Sequence, residues 1–97
     1  MNTYQLGSSV RFTGSFTDED DLPVDPDTVS LVIRDPSGNE TVYTYLGLGT
    51  ITRTAIGEYY QDAVVDEHGV WYYQWKGTGT ATAIDEDALY CAVGEIV

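Results

Sequence analysis

The chain has few basic residues, and this scarcity limits its partners. Four Lys and Arg residues stand against sixteen Asp and Glu residues, which gives a formal net charge of -12 over 97 residues. Arg11, Arg34, Arg53 and Lys76 are scattered along the chain, whereas nucleic acids and anionic membranes attract clustered positive charge. We therefore expect neither as a partner. An acidic surface favours solubility and repulsion between free copies, and it also suits a partner with a basic surface.

Cysteine and long apolar runs are also scarce. Cys91 is the single cysteine, so it cannot form a disulfide within the chain, and its alternation with Leu89 and Val93 predicts a buried thiol. No apolar run approaches the ~20 residues of a membrane helix. Residues 1–6 lack the basic and apolar regions of a signal peptide, so we expect none. The length predicts a single domain over residues 1–97.

Aromatic residues recur at strand spacing. Trp71, Tyr73 and Trp75 alternate with other residues, which places all three on one face of a strand. So much aromatic surface on one side needs a second sheet to cover it. Seven or eight short strands, with turn signals about every 8–12 residues, predict an all-β, immunoglobulin-like antiparallel sandwich.

Alternation and turn residues place the individual strands. They predict strands over residues 9–17, 28–34, 40–46, 50–54, 58–65, 70–76 and 88–93, with a short leading strand at 4–6 and a loop or weak edge strand at 77–83. Asp-Pro-Ser-Gly at 35–38 predicts a hairpin turn. Gly14, on the apolar face of its strand, predicts close packing by a bulky residue such as a Trp from the facing sheet. The predicted core consists of Phe12, Phe16, Val29, Leu31, Ile33, Val42, Tyr59, Val65, Trp71, Tyr73, Trp75, Leu89, Cys91 and Val93.

Two acidic segments are the first candidate sites. Residues 18–27 hold six carboxylates and two prolines, and Asp85, Glu86 and Asp87 form a second group. Clustered carboxylates suit calcium, but a calcium site needs about 6–8 converging oxygens and the spacing of an EF-hand is absent. We therefore interpret both as solvated acidic segments, although a shared ion site gains support if they lie at the same end of the sandwich.

Catalytic and cofactor-binding groups are not apparent. His68 is the single histidine and has no partners at zinc-ligand spacing. The Gly-Thr-Gly at 77–79 lacks the lysine and helix of a phosphate-binding loop. We expect no catalytic residue, no metal and no cofactor, and thus a protein that is not an enzyme.

Tyrosines are the candidate interface residues. Strand alternation predicts that five of them point outward, away from the core. Tyrosine favours protein interfaces because its ring supplies rigid apolar area while its hydroxyl stays hydrated, although β-propensity alone also enriches it in sheets. The predicted interface residues are Tyr43, Tyr45, Tyr60, Tyr72 and Tyr90.

Two glycine–aromatic pairs resemble the corners of immunoglobulin-like domains. In Gly57-x-Tyr59 and Gly69-x-Trp71, the aromatic residue near the start of a strand is expected to pack inward and to bond back to the preceding turn. The usual Cys, Trp and Cys pattern is missing, so the prediction is a relative without a disulfide.

The ordered motifs resemble a group of small immunoglobulin-like proteins encoded by tailed bacteriophages, which tend to occur among virion structural genes. The motifs are YQLGSSVRF at 4–12, LPVDPDTV at 22–29, DPSG at 35–38, GEY at 57–59 and DEHGVWYYQWKGTG at 66–79. Each is generic by itself, but together they cover most of the chain in order. The resemblance implies a structural role in the virion and supplies no catalytic residues.

Two functions follow as hypotheses. In the first, the protein is made in the bacterial cytoplasm and docks in many copies on capsid, head–tail connector or tail subunits, with contacts between copies in the particle. Because free copies repel each other, we expect self-association only on assembly. In the second, it is a carbohydrate- or cell-surface-binding module in which exposed aromatic rings stack on sugars, with calcium in an acidic loop as an option.

Overall fold

The computed structural model describes residues 2–45, 51–79 and 83–93. These residues form strands and connecting turns and contain no helix, which confirms the all-β prediction. None of them forms a helical segment that could cross a membrane. The strands are β1 (Asn2–Gln5), β2 (Ser9–Ser15), β3 (Thr28–Arg34), β4 (Glu40–Thr44), β5 (Thr52–Ala55), β6 (Glu58–Val64), β7 (Gly69–Thr78) and β8 (Ala83–Ala92).

The strands build two sheets that pack face to face. The larger sheet has the order β1-β8-β7-β3-β4, and the smaller sheet has the order β2-β6-β5. Neighbouring strands are antiparallel except for β1, which runs parallel to β8 and pairs with its last residues. The β3–β4 hairpin forms as predicted, because the Gly38 amide donates to the Asp35 carbonyl over 3.0 Å.

Inward-facing residues of both sheets form one core. Its buried members are Val10, Phe12, Phe16, Val29, Leu31, Ile33, Ile51, Tyr59, Val65, Trp71, Trp75, Leu89 and Cys91. A Cβ atom at Gly14 would lie 2.6 Å from Trp75 Cδ2, so the indole occupies the space of the missing side chain. This confirms the prediction that a Trp from the facing sheet packs on this glycine.

Two members of the predicted core lie outside it. Val42 is 61% exposed because the hairpin register sets it opposite Val32, on the outer face of the larger sheet. Val93 follows the end of β8 and is 51% exposed. Tyr73 is half-buried and packs against the core, and Val10 and Ile51 are buried in it although the predicted core contains neither.

The last strand begins earlier than predicted. β8 starts at Ala83 and not at residue 88, because β7 extends to Thr78 and pairs with β8 from Gly77↔Ala83 onward. The acidic residues of the second segment are therefore part of a strand. Alternation did not indicate this strand, because Asp85 and Asp87 hold the inward-facing positions and are exposed there.

Candidate functional site

The five predicted interface tyrosines divide between the two sides of the larger sheet and the outer face of the smaller one. The outward placement of Tyr43 and Tyr45 is wrong, since both pack against the core. Tyr43 lies beside Leu31 in the β3–β4 register, and Leu31 is fully buried. The ring of Tyr45 meets that of Tyr59 edge to face, with centroids 5.2 Å apart.

The other three tyrosines lie on outer faces, as predicted. Tyr60 is on the smaller sheet, where the Arg11 guanidinium lies 3.9 Å from its ring centroid. Tyr90 is on the larger sheet, and its hydroxyl is 2.9 Å from His68 Nε2. Tyr72, on the same face, is 53% exposed. Tyr72 is the most exposed of the three.

Tyr72 lies in a shallow groove on the outer face of the larger sheet. Two rows of residues cross the strands there in register. We name this surface the outer-face patch. Its rows are Glu40–Arg34–Tyr72–Ala88 and Val42–Val32–Gln74–Glu86.

Polar groups of the outer-face patch satisfy one another. Arg34 donates to Glu40 Oε2 through Nε at 2.9 Å and Nη2 at 2.6 Å. Gln74 Nε2 donates to Glu86 Oε1 over 3.3 Å. In one row Tyr72 and Ala88 follow the Arg34–Glu40 pair, and in the other the two valines precede the Gln74–Glu86 pair, so apolar and polar groups alternate across the patch. Protein interfaces commonly combine apolar area with hydrogen-bonded polar groups.

The first acidic segment uses Asp25 to hold the fold together. Its carboxylate accepts two bonds from Arg53, one from the Gly57 amide at 2.8 Å and one from the Tyr59 hydroxyl at 3.0 Å. These donors, Arg53 first, lower the pKa of Asp25 to about 2. Burial and the bond to Asp25 raise the pKa of Tyr59 to about 12. We name these four residues the Asp25 lock.

Both predicted corners are present, one as expected and one in modified form. Trp71 packs inward, and its Nε1 donates over 2.8 Å to the Glu67 carbonyl in the preceding turn, as expected. Tyr59 also packs inward, but its hydroxyl bonds to the carboxylate of Asp25, which itself accepts from Gly57 in the turn before Tyr59. A side chain from a distant loop thus replaces the local bond.

The acidic segments do not converge on an ion site. Asp18 Oδ1 accepts from the amides of Asp20 and Leu22 at 2.8 and 3.1 Å, so it stabilises its own loop. The second segment lies on β8 and not in a loop at the end of the sandwich. Within residues 2–45, 51–79 and 83–93, no three His, Cys, Asp or Glu side chains are placed to hold a metal.

Two potentially reactive side chains have structural surroundings. Cys91 is fully buried, as predicted, and burial raises the pKa of its thiol, which disfavours the nucleophilic thiolate. His68 lies in the β6–β7 turn and contacts Tyr90 through both its ring and its Nε2 atom.

The ion pairs leave the acidic excess uncompensated. Arg11, Arg34 and Arg53 each pair with a carboxylate, on Asp62, Glu40 and Asp25 respectively. Of the basic side chains, Lys76 alone is in none of these pairs. The chain therefore presents mainly negative charge to an approaching molecule.

Comparison with known proteins identifies the fold. The chain is similar to the filamin domain in the crystal structure of the Lin-41 filamin domain, with a TM-score of 0.72 and 12% sequence identity. The match covers 96% of this chain and 85% of that one. This confirms the immunoglobulin-like prediction and, at this identity, shows the fold alone. No protein-family model and no curated protein matches the chain.

Proposed function

We propose that this protein is a non-enzymatic immunoglobulin-like domain that works by binding other proteins. The observation that carries the proposal is the outer-face patch, in which a half-exposed aromatic ring lies beside apolar side chains and beside polar side chains that bond to one another. Exposed aromatic residues in such surroundings often dominate binding energy. The surroundings of Cys91 and His68 support a role without catalysis.

The setting that we propose is the virion of a tailed phage, where many copies dock on capsid, head–tail connector or tail subunits. The support for this setting is the ordered resemblance of the sequence motifs to virion proteins. Uncompensated negative charge agrees with it, because free copies repel each other while a basic partner surface attracts them.

Mass spectrometry of gradient-purified particles tests the setting. Peptides of this chain are expected at a fixed copy number per particle. On the order of hundreds of copies would indicate head decoration, whereas about six or twelve would indicate a ring at the neck, by closed symmetry. Absence of the chain from particles would refute the virion role.

A Tyr72→Ala variant tests the outer-face patch. We expect its binding to particles lacking the protein to fall by about tenfold or more, as for a buried aromatic anchor. The matched control is Tyr60→Ala, which removes the same group from the outer face of the other sheet. Equal effects of the two substitutions would show that the patch is not the docking surface.

Carbohydrate binding is a second candidate, favoured by one observation. The exposed Tyr72 ring lies between the Arg34–Glu40 and Gln74–Glu86 pairs, and a flat ring among hydrogen-bonding groups suits a sugar. A glycan array, read with and without calcium, separates this function from protein binding.

A further inference from the structure

One side of the larger sheet has an incomplete edge. β1 pairs with β8 only at Leu89–Ala92, so residues 83–88 have no strand beside them on that side among the described residues. The Ala92 carbonyl accepts from the Leu6 amide on the β1 side. Since main-chain groups alternate in direction along a strand, those of Ile84 and Glu86 and the amide of Ala88 face the open part of this side.

A groove runs beside this edge, between the two sheets. It has a volume of about 170 Å³ and is lined by β1, β2, β7 and β8. Phe12 of β2 and Tyr73 of β7 close its floor, with ring centroids 4.9 Å apart. β2 is itself an edge strand that pairs only with β6 within the described chain. The groove therefore lies between two open edges.

Two carboxylates stand on the side of β8 that faces the smaller sheet. Asp85 is opposite Trp75 and Asp87 is opposite Tyr73, and both of these aromatic residues belong to the inner face. Both carboxylates are nevertheless exposed, because the smaller sheet does not cover this part of β8. Residues two apart on a strand lie about 6.6 Å apart on the same face.

On the open edge, the carboxylate of Asp87 takes the place that a main-chain carbonyl of a neighbouring strand would have. Its Oδ1 atom accepts from the Ala88 amide over 2.7 Å. That amide belongs to the residues whose main-chain groups face the open side. An incoming strand would offer a carbonyl at this position and would free the carboxylate to pair with a basic side chain.

We propose that the open edge of β8, at residues 83–88, accepts an extended strand of a partner protein that carries basic side chains at alternate positions. Main-chain hydrogen bonds would hold the strand, as in other cases of strand addition. Its basic side chains would face Asp85 and Asp87, which fixes the register. The inference rests on the proposed protein-binding function and names a surface and a partner chemistry for it.

Charge selects this occupant over a second copy of the chain. The four basic residues lie at 11, 34, 53 and 76, so no segment of this chain carries two of them at alternate positions. A second copy of β8 would set Asp85 and Asp87 against like charges. Inward-pointing charges on an edge strand oppose pairing between copies, and here they also favour a strand of opposite charge.

A pair of synthetic peptides tests the proposal with the full chain. The probe is the blocked peptide TKVKVKT, and the control is KKTVVTK, which has the same composition but no two lysines two residues apart. We expect tighter binding of the alternating peptide by isothermal titration. By NMR we expect slower hydrogen exchange of the Ile84, Glu86 and Ala88 amides. Absence of binding, or equal binding of both peptides without edge protection, would overturn the proposal.

Matched variants locate the interaction. The double variant Asp85→Asn with Asp87→Asn is expected to weaken binding of TKVKVKT by about tenfold, because it removes two exposed ion pairs of modest strength. Asp20→Asn with Asp21→Asn removes the same charge from a distant loop, and we expect less than a twofold effect. If both double variants lose the same affinity for the peptide, the binding is general charge attraction and the proposed site is wrong.

Particle binding separates this inference from the proposed function. If the Asp85→Asn and Asp87→Asn variant competes equally with the wild-type chain for places on the particle, the strand-acceptor site is wrong and the virion role stands. If the wild-type chain is absent from particles but TKVKVKT slows hydrogen exchange at its β8 edge, the site stands and the virion setting fails.

Discussion

The two acidic segments of this protein have similar sequences but opposite uses. In the segment at residues 18–27, Asp25 accepts four hydrogen bonds from Arg53, Gly57 and Tyr59 and ties a loop to the smaller sheet. On β8, Asp85 and Asp87 have no arginine beside them and stand at an open edge. The donors that the fold brings to a carboxylate, and not the local density of charge, therefore decide its role.

The largest expected effect concerns the turn that supports the Asp25 lock. Gly57 has a φ of 74°, and a Cβ atom there would run into the Phe16 carbonyl and lie 3.0 Å from the Val24 amide nitrogen. We expect Gly57→Ala to lower the free energy of unfolding by at least ~2 kcal/mol, through backbone strain and the clash. Urea denaturation measures it.

Gly38→Ala is the matched control for this substitution. Gly38 has a φ of 91°, but a Cβ atom there would contact nothing within 4 Å. It should cost only the conformational part, about 1 kcal/mol. Equal losses in the two variants would show that the contact of Gly57 with the acidic loop contributes nothing.

Removing the charge of Asp25 should have the next largest effect. Asp25→Asn keeps the volume of the side chain but loses the ion pair with Arg53. We expect a lower Tm than for Asp20→Asn, which removes a charge from the same loop without an ion pair of this kind. A Tm for Asp25→Asn at or above that of Asp20→Asn would contradict the lock.

Acid should weaken the lock over a defined pH range. The pKa of Asp25 falls from its ordinary value of 3.8 to about 2 in the folded protein. The folded state thus binds fewer protons, so the stabilisation is complete above about pH 4 and is lost as the pH falls toward 2. Thermal melts between pH 5 and pH 2 measure this loss, and Asp25→Asn should flatten the slope.

The smallest effect on stability is expected at the open edge. Replacing Asp85 and Asp87 with Asn should change the free energy of unfolding by no more than ~0.5 kcal/mol, because both side chains are exposed and Asn keeps an oxygen that can accept from the Ala88 amide. Urea denaturation checks this. A loss comparable to that of Gly57→Ala would place these carboxylates with Asp25 as structural groups.

Strand alternation was enough to predict most of the fold from the sequence. β3 has the predicted bounds, and Gly14 has the predicted Trp75 contact. In these strands apolar residues face the core and polar residues face the solvent, so the sequence alone indicates which way each side chain points. The hairpin turn at 35–38 was equally clear, since proline and glycine occupy the positions that a tight turn favours.

The faces of β4 and the start of β8 could not be obtained from alternation. Both faces of β4 carry apolar or aromatic residues, so the inward face of Tyr43 and the outward face of Val42 follow only from the register with β3. A five-residue connection pairs Arg34 with Glu40, and counting from that pair would have placed both residues. The Asp25 lock joins residues 28 to 34 positions apart, and no local pattern reports such contacts.

The parallel pairing of β1 with β8 gives the domain a mechanical property. The first and last strands lie side by side and run in the same direction, with Asn2 opposite Leu89 and Gln5 opposite Ala92. Tension that pulls the two ends of the chain apart loads the hydrogen bonds between these strands in shear, because the bonds lie across the direction of pull. These hydrogen bonds must break together and not one after another. A domain held by its two ends would therefore resist stretching until β1 slides along β8.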